Sequence, residues 1–122
     1  MATILFALPI KAGQTEAVRA FARDCIGPRY AAYDASERRI GIGVENWYLQ
    51  RTFAGELFAV QVEGADLQAS FAAFIASREP FDLWFKERVL ALTGVDLNAG
   101  PPPAELIAET LGEYKAGVLT GA

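Results

Sequence analysis

A chain of 122 residues, 52% hydrophobic and 21% charged, has the length of one globular domain with a sizeable core, and a single domain over residues 1–122 is expected. The formal charge of −4 argues against a nucleic-acid surface, because neutralising phosphates takes clustered Lys and Arg. With no histidine and one cysteine, an internal disulfide is excluded and neither a metal site nor any other cofactor is expected. No stretch reaches the roughly 18–20 apolar residues that span a bilayer, and the N-terminus lacks a basic signal region, so a cytoplasmic protein that does not bind membranes is expected.

Thr3 to Ile10 is almost continuously apolar, as in a strand buried on both sides, and Pro9 marks where its pairing stops or bulges. Gly13 to Thr15 opens a helix in which Val18, Phe21, Ala22 and Cys25 recur at helical spacing; on that stripe Cys25 is a small core residue. Gly27 and Pro28 interrupt it, and a second helix is expected from Arg29 to about Arg38, with Tyr30 and Tyr33 one turn apart. Arg19, Arg23, Arg29, Arg38 and Arg39 read as the wet side of this helical region.

The stretch from Ile40 to Glu63 reads as a hairpin turned at Ala54 and Gly55, with large apolar side chains on both faces. Strict alternation puts Ile42, Val44, Asn46 and Tyr48 on one side and Glu45, Trp47 and Leu49 on the other. A sheet with two apolar faces needs two covers. The helices supply one, and a second copy of the sheet is the simplest other, so a homodimer through the sheet face is expected.

Asp66 suits an N-cap for a helix carrying Leu67, Phe71, Phe74 and Ile75, which Ser77 to Pro80 ends. Another starts at Pro80, aligns Phe81, Trp84, Phe85 and Val89, pairs Asp82 with Lys86, and stops at Gly94. Gly100 to Pro103 is a stiff connector. From Ala104 to Tyr114, Glu105, Glu109 and Glu113 suit a helix, whereas Glu105, Ile107, Glu109 and Leu111 against Leu106, Ala108 and Thr110 suit a strand. The strand is preferred because it completes a sheet of four. Order is expected over about 3–114, with the small-residue tail over 115–122 frayed.

The order strand, helix, strand, strand, helices, strand is an α+β, ferredoxin-like βαββαβ arrangement with an antiparallel four-stranded sheet. With the hairpin VENWYLQ and the segment REPFDLWFKERVLALTGVDL, the chain resembles the dimeric α/β-barrel superfamily, and within it a small bacterial family of uncharacterised proteins. Antibiotic-biosynthesis monooxygenases and stress-responsive barrel proteins are more distant members. The resemblance implies a cavity between sheet and helices, lined in the cofactor-free monooxygenases by Asn and Trp. Asn46 and Trp47 match those types, whereas the haem-degrading members need a His ligand that this chain lacks.

Three side-chain groups are candidates for a site. Glu45 and Glu63 are the carboxylates best placed for a covered face, where a desolvated carboxyl works as a general base; pairing with Arg51 would explain them without chemistry. Tyr30, Tyr33 and Tyr48 can donate into a helix-side cavity, and Asn46 and Gln50 share the Tyr48 face. Trp47 is either packing or a wall for a flat ligand. The expectation is a small apolar or aromatic metabolite bound between helices and sheet at Tyr30, Tyr33, Glu45, Asn46, Trp47, Tyr48 and Gln50. The alternatives are a cofactor-independent monooxygenase and a purely structural interaction protein.

Overall fold

The computed structural model describes residues 1–121 and the side chains of residues 1–117. Strand β1 (Ala2–Pro9) leads to helices α1 (Thr15–Ile26) and α2 (Tyr30–Ile40), the hairpin β2 (Ile42–Thr52) and β3 (Gly55–Gly64), and helices α3 (Leu67–Ala76) and α4 (Pro80–Thr93). A 3-10 turn over Ala104–Leu106 and a short hairpin, β4 (Gly112–Lys115) with β5 (Val118–Gly121), follow.

The main sheet has the order β1-β3-β2, antiparallel throughout. β1 and β2 therefore run parallel with β3 inserted between them, a split βαβ unit. Ile4, Phe6 and Leu8 of β1, Phe58, Val60 and Val62 of β3, and Trp47 of β2 pack with the helices into one core, completed by Val18, Phe21, Cys25, Phe81, Val89 and Leu92. Phe21 is its centre: its ring lies 5.8 Å from Trp47, 5.4 Å from Trp84 and 5.0 Å from Phe85. Such ring pairs contribute roughly 0.5–1.5 kcal/mol each beyond the area they bury.

Among the described residues the opposite sheet face has no cover. Leu5, Val44 and Tyr48 on it are 43%, 39% and 54% exposed.

Four expectations are corrected. The fourth strand is a single bridge, Phe6 to Ile107, with the Ala108 N–H donating to the Leu5 carbonyl at 2.7 Å. The segment holds position beside β1 but leaves at once, since either alternating face of residues 105–111 would mix acidic or polar groups with its apolar ones. In the tail that composition marks as frayed, Lys115 pairs with Val118 and Gly121 with the preceding Gly112, while residue 122 lies outside the described residues. Ile42 changes face: a bulge at Gly43 makes Ile42 pair with Gly64 and Val44 with Glu63, which brings Ile42 to the side of Glu45 and Trp47. Asp82 and Lys86 face separate partners, as described below.

Two glycines make the corner that sets α2 against the hairpin. Gly41 ends α2 in the left-handed region at φ 85°, where a Cβ is strained. At Gly64 a Cβ would lie 2.8 Å from the Gly41 carbonyl oxygen and 3.0 Å from Leu67, so the strand end and helix end approach only because it is glycine.

Candidate functional site

On α2, Tyr33, Glu37 and Ile40 recur at i, i+4 and i+7 and share one helical stripe. That stripe lies over Ile42, Glu45 and Trp47 of β2. Between them and the inner sheet face is a cavity in which about 60 Å³ is open to the centre of a water molecule, room for more than one. Its walls are apolar and largely aromatic, including Phe6, Phe58, Phe71, Phe74, Phe81 and Phe85.

Ser36 and Ser70 line the cavity with hydroxyls already bonded to Asp82 and the Asp66 carbonyl, and Tyr33, Glu37, Glu45 and Trp47 supply the other polar side chains. The Tyr33 hydroxyl donates to Glu45 Oε1 at 2.5 Å. Glu37 Oε2 and the Trp47 indole Nε1 are buried with no hydrogen-bond partner among the described residues. The indole N–H is near enough to favour the Glu45 anion, but it makes no hydrogen bond of proper geometry. Burial pushes the Glu37 carboxyl up to about 9, helped by the charges of Glu45 and Asp82. Burial likewise lifts Glu45, to about 7, against the stabilisation that Tyr33 and Trp47 give its anion. Desolvation first, then the neighbouring Glu45, raises the Tyr33 phenol, which stays protonated. Burial raises the Cys25 thiol to about 12, which makes it a core group rather than a nucleophile.

A wider depression of about 650 Å³ lies outside, bordered by Ala22, Ile26, Tyr30, Asp34 and Arg38. Tyr33, Glu37, Ile42, Glu45 and Trp47 line both spaces and form the neck between them.

Of the residues singled out from sequence, Tyr33, Glu45 and Trp47 meet at this neck. Tyr30 is on the outer rim and 55% exposed. Asn46, Tyr48 and Gln50 are exposed and alternate with Glu45, Trp47 and Leu49, so they point to the open sheet face; Asn46 donates there to Gln61 at 3.4 Å. The Asn–Trp pairing implied by the monooxygenase resemblance is therefore split across the sheet, although Asn46 also borders the outer depression. Glu63 pairs across from Thr3 and Val44, and Arg51 lies 3.9 Å from Glu56 rather than beside Glu45. Glu37 was missed, yet its signal was present: it sits four residues after Tyr33 on the same stripe.

A second buried polar cluster adjoins the cavity. Asp82 accepts from the Ser36 hydroxyl, from Ser77 Oγ at 2.5 Å and from Arg39 Nη2 at 2.9 Å. Burial alone would raise its carboxyl, but these donors outweigh it and hold it below the ordinary value. The Lys86 ammonium, fully buried, donates to the carbonyls of Phe74, Ile75 and Ser77 at 2.8, 3.1 and 3.1 Å and closes the C-terminus of α3. Desolvation lowers its pKa. Arg29 stacks over Trp84 at 3.8 Å, so neither it nor Arg39 belongs to a purely solvated face.

Among the described residues no group of three His, Cys, Asp or Glu side chains could hold a metal ion, and no helix is long and apolar enough to cross a membrane. No family model matches the chain, and no curated protein matches it significantly. Among solved structures the fold is similar to that of tetracenomycin F2 cyclase from Streptomyces glaucescens, a type-II polyketide cyclase. The TM-score is 0.55 at 19% identity, over 94% of this chain and 98% of the cyclase. At that identity the likeness concerns the fold, a mixed α+β architecture.

Proposed function

We propose that this chain is a one-domain, ferredoxin-like α/β-barrel protein, homodimeric and cytoplasmic, that binds a small, flat, apolar or aromatic metabolite between its helices and its sheet. The observation that carries the reading is the aromatic cavity whose unpartnered polar atoms, Glu37 Oε2 and Trp47 Nε1, lie at the neck, the usual build of a small-molecule site: apolar walls and a few polar groups left for a ligand. A protein whose only task was structural would fill that space, because close packing is what stabilises a core. The likeness in fold to a polyketide cyclase supports a ligand of polyketide-like, aromatic character.

The homodimer reading rests on the open sheet face. Leu5, Val44 and Tyr48 lie exposed on it, and a groove of about 280 Å³ bordered by Leu5, Leu57, Ala59 and Ile107 continues the apolar surface. A second copy of the sheet would cover both.

Light scattering during size exclusion, followed by native mass spectrometry of protein purified without denaturation, tests the two parts separately. Twice 13.2 kDa with added mass supports dimer and ligand together. A dimer that stays empty when offered a panel of flat aromatic compounds overturns the binding reading, and a monomer overturns the dimer.

A further inference from the structure

The role of the neck follows from its chemistry once a ligand occupies the cavity, and so rests on the binding proposed above. A ligand whose apolar body fills the aromatic cavity finds its free polar partners at the neck, whose lining includes Trp47 Nε1–H and Glu37 Oε2, both without a partner among the described residues, and the Glu45 carboxyl. The chemistry of these three groups narrows the choice. An anion would be a third negative group beside two carboxyls. An ammonium only donates, so it would compete with the indole N–H for the Glu45 carboxylate and give that N–H no acceptor of its own. A carbonyl oxygen accepts from Trp47 and Glu37 at once, and it leaves Glu45 facing the carbon beside it.

We propose that the neck holds the carbonyl of a neutral, flat ketone and that Glu45 and Glu37 enolise it. The Glu45 carboxylate takes a proton from the carbon next to the carbonyl. The C–H electron pair becomes the C=C bond, the carbonyl π pair moves to oxygen, and that oxygen takes the Glu37 proton while Trp47 Nε1–H holds it. The ketone becomes its enol, and one proton has passed from Glu37 to Glu45. Reversal returns a proton to carbon, and a proton exchanged with solvent at Glu45 in the meantime is the one returned. No oxidant, reductant or metal takes part. Tyr33 is a positioning residue: its hydrogen bond fixes Glu45 Oε1 and leaves the other oxygen to the ligand.

The environment divides the two roles. Burial and the charge of Glu45 keep Glu37 protonated, up to about 9, whereas Glu45, at about 7, holds its proton less tightly and is ionised in part in neutral solution. The titratable groups around them are Tyr33 on the same helix, Cys25 from α1 and Asp82 from α4.

The probe is 2-tetralone, a flat bicyclic ketone, with 2-aminotetralin as the amine of the same shape. Binding is read from Trp fluorescence and ligand-observed NMR, and chemistry from deuterium entering the C1 position of 2-tetralone in D2O. Wild-type protein should bind 2-tetralone and accelerate exchange about 10²-fold over buffer, the lower end for positioned acid–base groups. Glu45→Gln should bind the ketone yet return exchange to the buffer rate. Glu45→Asp, which keeps the charge but retracts it, should slow exchange. Glu37→Gln should slow exchange and remove its alkaline decline, whereas Tyr33→Phe should shift the acid limb of the pH profile. Bound 2-tetralone exchanging at the buffer rate, or Glu45→Gln exchanging like wild type, would overturn the enolisation and leave the binding reading intact. Preference for 2-aminotetralin would overturn the carbonyl assignment, as would failure of both probes to bind; native mass spectrometry judges the binding reading independently.

Discussion

Asp82 of α4 and Glu37 of α2 are both carboxyls at the α2 surface, and Ser36, which donates to Asp82, is the neighbour of Glu37 in sequence. Asp82 accepts from three donors and is held ionised. Glu37 keeps an oxygen without a partner among the described residues, and burial with the nearby Glu45 and Asp82 charges favours its protonated form. A fully satisfied buried network rigidifies a fold, whereas an unsatisfied carboxyl beside a cavity stores an interaction that a ligand can complete. Here the first kind locks α2, α3 and α4 together, and the second opens onto the cavity that the helices cover.

The largest effect should come from breaking the satisfied cluster. Asp82→Ala leaves Ser36, Ser77 and Arg39 without their acceptor and should cost about 3 kcal/mol or more in urea unfolding, as for other broken buried ion pairs. Lys86→Met keeps the apolar stem but takes the ammonium from three carbonyls at the end of α3, of which only Phe74 keeps the Ser77 N–H, and a loss of roughly 2–3 kcal/mol is expected. In hydrogen exchange, the last turn of α3 should open first.

The two clusters should respond to pH with opposite sign. Glu37 and Glu45 have folded pKa values above the ordinary carboxylate range, so their contribution is fully present below about 4.5 and is lost as pH rises through about 7 and then about 9. The folded pKa of Asp82 lies below its ordinary 3.8, so its contribution is present above that value and is lost as pH falls through the depressed one. Glu37→Gln should therefore stabilise the protein at pH 8, by on the order of 1 kcal/mol, and leave it unchanged at pH 4. Equal gains at both pH values would show that Glu37 is not held protonated. The smallest change is expected at the exposed pair Arg38–Asp34, 3.0 Å apart, where Arg38→Ala should alter stability by less than about 0.5 kcal/mol.

Much of the fold was legible because its elements announce themselves locally. The apolar run of β1, the helical spacing of Val18, Phe21 and Cys25, the Asp66 cap that accepts from Ala69, and Pro80 opening α4 before Gly94 closes it all act within one or two turns. The fourth strand was not legible, since residues 105–111 fit two periods equally and only their place beside β1 decides between them. At the site, alternation placed Trp47 with Glu45 but could not foresee the bulge at Gly43, because a bulge depends on how two strands register rather than on the residues of one. Asp82 and Lys86 satisfy the i, i+4 rule, yet stronger partners from α2 and the end of α3 draw them apart.

The sequence by itself determined the mixed α+β class, the split βαβ order, the aromatic core and the sheet face that carries Glu45 and Trp47, because these follow from side-chain period and chain punctuation. Tertiary structure alone decided that Glu37 stands over Glu45, that the face of Asn46, Tyr48 and Gln50 is the one turned away from the cavity, and that the carboxyls of Glu37 on α2 and Asp82 on α4 are shifted in opposite directions. The state of a carboxyl is set by the donors, charges and water within a few ångströms of it, and those neighbours come from segments far apart in the chain.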